Sequence, residues 1–280
     1  MVPRGLFPHR KVIEVSTRNS IFQQLESIQR NRQKRYRLGL SLVEGVRLID
    51  AVRRFHAPVE AFVYDKEKRL SPWAHDVVQS HEAEALLALS STLFQDLSRR
   101  SDAPALMAVI RTPNDHLSRI VLSEVPLVLI LDRPSSPGNI GSIIRSADAL
   151  GVDGVIVFGH AADLYSPEAL TASMGSLFTL PTVRVEQGAT LFRWLTECKL
   201  LFPTIRLVGA DERGDMVLAG CDLTQPTIFI IGNEADGIST ALQSACDIKT
   251  RIPMTGFASS LNAACATSIC LYEAVRQRSQ

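Results

Sequence analysis

Residues 125–151 read VPLVLILDRPSSPGNIGSIIRSADALG. The first eight residues are an almost unbroken apolar run ending on Asp132, the pattern of a strand covered on both faces of a parallel sheet. The run gives way to a loop of prolines, serines and glycine. From Ile140 the apolar positions Ile140, Ile143, Ile144, Ala147 and Leu150 fall at helical spacing, with Asn139 placed to cap the helix. Gly141 and Arg145, four apart, are expected to face away from that apolar stripe. A strand end, a bare-backbone loop and an early helical arginine point to phosphate binding, yet the fingerprints of such a site are missing. A nucleotide-phosphate loop needs G-x-x-x-x-G-K-[ST] and a dinucleotide site needs G-x-G-x-x-G; SSPGNIGSIIR is neither.

Toward the C-terminus, GVDGVIVFG, LPTVRV, LFPTIRLVGAD, PTIFIIGNE and IKTRIPM repeat the Val/Ile/Leu-rich pattern, separated by helix-like segments. The back half therefore reads as an α/β domain on a parallel sheet. Ligands of such sheets bind where strands deliver their carboxyl ends, so the residues that follow each run are the candidates. In IFIIGNEADGIS, strand residues 229–231 run into Gly232, Asn233 and Glu234. Asp236 and Gly237 then make a turn, and Ser239 is placed to cap the next helix. In RIPMTGFASSLNAACATSICLYEAV, a short strand is expected to end at Met254. Ser260 or Asn262 then starts a helix expected to bury Leu261, Cys265, Ile269, Tyr272 and Val275.

Toward the N-terminus, LGLSLVEG, VEAFVYD, ALLALS and ALMAVIR alternate with helical patterns such as VRLIDAVRRF, which predicts a small α/β sandwich. RTPNDHLSR, residues 111–119, is polar and broken by Pro113, and marks the boundary. The expected division is a first domain over 1–112, a linker over 113–120 and a second domain over 121–280. No apolar run approaches the roughly 20 residues that cross a bilayer, and the chain reads as soluble and cytoplasmic. The five cysteines are scattered without a C-x-x-C pair, so they are expected to be buried free thiols. No His/Cys cluster points to a metal.

The net charge of +1 hides an asymmetry: residues 1–119 carry 19 Lys and Arg against 13 Asp and Glu, and residues 120–280 carry 11 against 16. A basic front half is suited to a polyanion. Its densest run, RNRQKRYR, sets Arg30, Arg32, Lys34, Arg35 and Arg37 around Tyr36. These are cations for phosphates beside a ring that can stack on a base, which makes this run the candidate RNA contact. A solvated helix face is the alternative reading of the same run.

In this order, the three back-half loops resemble the three motifs of the SpoU (TrmH) family of RNA ribose methyltransferases, within the SPOUT class. N-x-G-x-x-x-R is matched by Asn139, Gly141 and Arg145, and G-N-E by Gly232, Asn233 and Glu234. I-P-M joined to S-L-N is matched by Ile252, Pro253, Met254, Ser260, Leu261 and Asn262. RYRLGLSLVEGVRLIDAV is similar to the start of the RNA-binding domain often attached in this family. The chain departs from the pattern at Ala235, where glycine is usual, and at Ala263 and Ala264, where valine and serine are usual.

The resemblance implies a trefoil knot in the C-terminal domain, a homodimer, and S-adenosylmethionine as methyl donor. It implies that Val208, Gly209, Gly232, Ile252, Met254 and Leu261 hold that donor, and that Arg145, Asn139, Glu234, Ser260 and Asn262 form the catalytic group. The implied reaction is attack of a ribose 2′-hydroxyl of structured RNA, ribosomal RNA being favoured over transfer RNA, on the donor's methyl group. Arginine stays protonated, so Arg145 is expected to bind the adjacent phosphate and stabilise developing charge while a phosphate oxygen or water takes the proton. Asn139 and Glu234 would orient it, and Ser260 and Asn262 would steer the ribose. The rivals are a non-catalytic RNA-binding protein that kept the fold and an unrelated nucleotide-binding enzyme.

Overall fold

The computed structural model describes residues 11–101, 103–258 and 260–279. The elements run β1 (Lys11–Val15), α1 (Ser20–Arg30), α2 (Arg32–Leu38), β2 (Leu40–Glu44), α3 (Val46–Arg54), β3 (Val59–Asp65), α4 (Pro72–Ser80), β4 (Ala83–Leu89), α5 (Ser91–Leu97) and β5 (Met107–Arg111). They continue with β6 (Leu127–Asp132), α6 (Pro137–Ala149), β7 (Gly154–Phe158), α7 (Pro167–Ser173), β8 (Thr182–Val185), α8 (Gly188–Leu201), β9 (Arg206–Ala210), β10 (Met216–Val217), β11 (Thr227–Ile231), α9 (Thr240–Ala245), β12 (Ile248–Arg251) and α10 (Ala263–Arg278). Two compact units divide the chain. One runs up to Asn114 and includes Tyr165–Phe178; the other holds Asp115–Leu164 and the chain from Thr179 onward.

The first unit is built on a mixed sheet of order β1-β4-β3-β5-β2, in which β5 runs antiparallel to both its neighbours. Phe22, Leu25 and Ile28 recur at helical spacing on α1 and are fully buried with Val15, Leu87 and Phe94. Each such side chain contributes about 1.5–3 kcal/mol by leaving water. Asn19 caps α1 by accepting from the Phe22 amide at 3.1 Å, and Gly39 ends α2 in the left-handed region at φ 65°. The α7 segment lies between β7 and β8 in sequence, yet Ser41 donates to the Tyr165 carbonyl at 3.0 Å within this unit.

The second unit is an all-parallel sheet of order β10-β12-β9-β11-β6-β7-β8. Every residue of β6 and β11 is buried, as continuous apolar runs demand. The chain proceeds from β6 through β7 to β8 on one side, then crosses to β9, and β11 later fills the place between β9 and β6. The carboxyl ends of β6 and β11 thus form a switch point, where open α/β sheets leave a crevice.

Several local expectations are corrected. Ser136, not Asn139, caps α6: its hydroxyl accepts from the Asn139 amide at 3.2 Å, and Pro137 occupies the first turn with its φ preset. Gly141 is buried rather than outward-facing, while Arg145 is exposed. β12 stops at Arg251, three residues before Met254. On α10 the buried residues are Thr267, Cys270, Leu271 and Ala274, whereas Ile269 and Tyr272 are 39% and 60% exposed. The helix is apolar or small almost all round, so sequence periodicity did not fix its inner face. Cys198, Cys221 and Cys270 are buried, Cys246 is half-buried and Cys265 is exposed, all as free thiols.

Candidate active site

Asp132 ends β6 fully buried, and its carboxylate accepts from the Ser239 amide at 2.6 Å and from Arg133 Nε at 3.1 Å. Arg133 takes a left-handed φ of 53°, uncommon for a residue with a side chain. The turn aims its guanidinium at the Gly237 carbonyl, 3.2 Å away, and lets its own carbonyl accept from Asn233 Nδ2 at 2.7 Å. The end of β6 therefore holds the loop after β11 from two sides.

That loop is a closed turn. Asn233 and Gly237 exchange backbone hydrogen bonds of 3.0 and 2.9 Å, and Asn233 Oδ1 accepts from the Ala235 and Asp236 amides at 2.8 and 3.2 Å. A Cβ at Gly232 would overlap the backbone of Gly237 and Ile238, so the turn closes only on glycine. Gly237 itself sits at φ 67°.

Glu234 projects from this turn to the start of α6. One carboxylate oxygen accepts from the Ser135 amide at 3.0 Å and hydroxyl at 2.7 Å, and the other accepts from Asn139 Nδ2 at 2.8 Å. The Asn139 amide oxygen in turn accepts from Asn262 Nδ2 at 3.0 Å. Asn262 caps α10, its own oxygen accepting from the Ala264 amide at 2.9 Å. Partial burial pushes the Glu234 carboxyl up, but the hydrogen bonds from Asn139 and Ser135 outweigh it and hold the pKa at about 2. Glu234 is a fixed anion, which orients Asn139 with its NH2 toward the carboxylate and its oxygen toward Asn262.

Beside this chain of side chains lies a cleft of about 660 Å³. Ala210, Ile231, Ile238, Ile252 and Leu261 give it apolar walls, and among the described lining residues the carboxylates Asp211, Glu212, Glu234 and Asp236 face a single guanidinium, that of Arg213. Of the residues expected to hold a donor, Gly232, Ile252, Met254 and Leu261 line the cleft, as do Ser260, Asn262 and Glu234. Val208 and Gly209 do not: Val208 is fully buried, and a Cβ at Gly209 would crowd Cys246 and Ile238. The strand reaches the cleft two residues later, at Ala210 and Asp211. Arg145 does not line it either. It stands exposed on α6, and its guanidinium forms no hydrogen bond or ion pair among the described residues. Ser135, Arg133 and Asp132 were missed in the sequence because each is an ordinary loop or strand-end residue until the fold supplies its partner.

In the first unit, the basic run splits. Arg35 is 4% exposed and donates to the carbonyls of Ile28 and Gln29 at 2.7 and 2.8 Å, satisfying the end of α1. It is a structural residue, and its place in the candidate RNA contact is withdrawn. Arg30 pairs with Glu26 at 3.2 Å, and Arg32 lies over the Tyr36 ring at 5.1 Å, covering one face of the expected stacking platform. Arg37 is exposed and Lys34 half-exposed.

Comparison with known proteins agrees with this geometry. Residues 126–272 match the SpoU rRNA Methylase family and residues 19–108 match the SpoU L30e-like domain. A 23S rRNA (uridine(2479)-2′-O)-methyltransferase of Streptomyces viridochromogenes is 46% identical over 94% of this chain and 92% of its own length. The 23S rRNA (guanosine-2′-O-)-methyltransferase RlmB of Escherichia coli (strain K12) is 33% identical over 76% of this chain and 87% of its own. The crystal structure of the SpoU methyltransferase AviRb from Streptomyces viridochromogenes in complex with AdoMet has a TM-score of 0.89 at 46% identity, covering 93% of this chain and 98% of that one. An AdoMet-bound rRNA methyltransferase from Sinorhizobium meliloti has a TM-score of 0.83 at 26% identity, covering 95% and 98%. With its three strand-end loops joined through Asn139, Glu234 and Asn262, and with these relatives, the chain belongs to the SpoU rRNA methylase family.

Proposed function

We propose that the protein transfers a methyl group from S-adenosylmethionine to a ribose 2′-hydroxyl of ribosomal RNA, a uridine of 23S rRNA being the first target to test, given the activity named for the 46%-identical relative. The observation that carries the reading is the hydrogen-bonded series Glu234–Asn139–Asn262 on the rim of an apolar, carboxylate-lined cleft at the switch point of a parallel sheet.

The cleft suits the donor. Its apolar walls match an adenine ring, its carboxylates match a sulfonium and an ammonium group, and the closed turn presents the main chain of residues 232–237 along the wall. Gly232, Ile252, Met254 and Leu261 are the residues proposed to hold it. When bound, the donor supplies an electrophilic methyl group. The chain's contribution is positioning, which brings reacting atoms to roughly 3–3.5 Å in line. Asn139, oriented from both ends, and Asn262 and Ser260 on the cleft wall hold the ribose. Arg145, free of partners among the described residues, takes the adjacent phosphate and the charge that grows on the 2′-oxygen, while a phosphate oxygen or water accepts the proton.

The reading extends to a homodimer and a knotted C-terminal domain. The exposed Ile269 and Tyr272 on α10 favour a second copy, since an apolar helix face is suited to burial. The front domain, expected over 1–112, serves as the RNA-binding domain in the cytoplasm, with the exposed Arg37 and the half-exposed Lys34 among its cations. No helix among the described residues is long and apolar enough to cross a membrane.

The test is to incubate the protein with labelled donor and ribosomal RNA and map the linkages that become alkali-resistant, since a methylated 2′-oxygen blocks cleavage of its own phosphodiester. Arg145→Lys should lose turnover while donor binding persists. Donor binding without any transfer to RNA would reinstate the non-catalytic reading.

A further inference from the structure

The segment between β12 and α10 returns to the cleft twice, at Ile252 and Met254 and again at Ser260, Leu261 and Asn262. Residues 255–258 between these points do not line it. A Cβ added at Gly256 would meet nothing within 4 Å, and Phe257 is 107% exposed, more than any other large apolar residue among those described. Phe257 is therefore unpacked against the described residues, and it stands three residues from Met254 and three from Ser260, both of which line the cleft.

The chemistry of the rim says which part of an RNA this ring meets. Among the described lining residues Asp211, Glu212, Glu234 and Asp236 face the cleft with Arg213, and Arg133 stands 3.8 Å from Asp236, so carboxylates outnumber guanidinium groups. A rim of that charge repels phosphate and admits the neutral parts of a nucleotide. Among the described residues the cleft lining holds no aromatic side chain, so a base brought there by its ribose finds no stacking surface among them. A nucleotide drawn from structured RNA has also lost its stacked neighbours, and enzymes that act on such nucleotides replace that stacking with aromatic side chains.

We infer that Phe257 is a nucleobase-stacking residue, whose ring receives the base of the acceptor nucleotide or of its immediate neighbour while the ribose lies at Asn139 and Asn262. The inference rests on the function proposed above. It adds a specific RNA contact on the catalytic unit itself, at a residue between the two halves of the third motif that matches neither, and its chemistry accepts any base with an exposed π-face.

The experiment uses the full-length protein, a 23S rRNA transcript and labelled donor. Phe257→Ala should raise KM for RNA roughly tenfold, the scale of one lost base stack, with the donor's Kd and the oligomeric state unchanged. Phe257→Trp should retain activity, and its added indole emission should be quenched on titration with RNA. An unchanged KM for Phe257→Ala, or an indole that RNA does not quench, overturns the inference while leaving the methyl transfer intact. A shift in oligomeric state also overturns it, assigning the ring to an interface between copies. Absence of transfer by the unaltered protein strikes the proposed function instead.

Discussion

The carboxylate of Glu234 accepts from the amide of Asn139 at 2.8 Å across 95 residues of chain, and this contact fixes which way Asn139 faces. Both Glu234 oxygens are occupied by donors from Ser135 and Asn139, so replacing one oxygen by an NH2 sets donor against donor. Glu234→Gln is expected to lower kcat/KM by ten- to a hundredfold, the scale of one or two hydrogen bonds to a charged group. With its pKa held at about 2 rather than 4.5, the carboxylate adds stability that is present above pH 4.5 and lost only as pH falls through about 2. Between pH 5 and 9 it does not titrate, so the pH–rate profiles of the wild type and Glu234→Gln should be parallel. A limb of the profile that disappears in the variant would make Glu234 a working acid or base.

Arg133 is expected to be a positioning residue for the same turn. Its backbone holds Asn233 and its guanidinium holds the Gly237 carbonyl. Arg133→Gly keeps the left-handed backbone and removes the side chain with its guanidinium. It should raise the donor's Kd severalfold, lower kcat, and lower Tm because the buried Asp132 loses its guanidinium partner, and Arg133→Lys should recover part of each loss. Equal donor affinity in Arg133→Gly and the wild type would reduce the guanidinium to a surface contact.

Much of this site was legible because its residues follow apolar runs, and a parallel sheet brings the ends of such runs to one edge. The runs 127–132 and 227–231 disclosed β6 and β11, and with them Asn139, Glu234 and the cleft-lining Gly232. Val208 and Gly209, expected to hold the donor, lie off the cleft wall: Val208 is fully buried, and Ile238 and Cys246 crowd Gly209, neighbours that only the fold supplies. Asn139 looked like a helix cap because its better competitor, Ser136, precedes a proline whose preset φ starts the helix early. β1 escaped notice because KVIEV has only three apolar residues and becomes a strand by pairing with β4, 74 residues away at Lys11 and Ala85. Arg35 was grouped with its cationic neighbours because nothing in RNRQKRYR distinguishes the one guanidinium that turns inward.

That inward turn separates two arginines by experiment. Removing Arg35 leaves the Ile28 and Gln29 carbonyls buried without their donor, so Arg35→Ala should cost about 1–3 kcal/mol of stability. Arg37 is exposed, so Arg37→Ala should leave Tm unchanged, weaken RNA binding across sequences, and reduce the salt-dependence slope by about 1. A salt slope identical to wild type would move the RNA contact to another face of the unit.

The first unit carries a buried acid with its own pH signature. Glu60 on β3 is 1% exposed and pairs with Arg111 of β5, which also reaches Glu84 of β4 at 3.0 Å. Burial first, and then the hydrogen bond shared with Glu84, push its pKa up from 4.5 to about 7, against the opposing pull of Arg111. An acid whose pKa rises on folding binds its proton more tightly in the folded state, so its contribution to stability is complete below pH 4.5 and is lost as pH rises through about 7. The slope is at most about 1.4 kcal/mol per pH unit for one proton. Trp73 on α4 reports on this unit, and a Trp194→Phe background silences the indole of α8. In urea titrations followed by Trp73 emission, stability should fall from pH 5 to pH 8, and Glu60→Gln, which cannot ionise, should flatten that fall. Curves of equal slope for the two proteins would place the proton elsewhere.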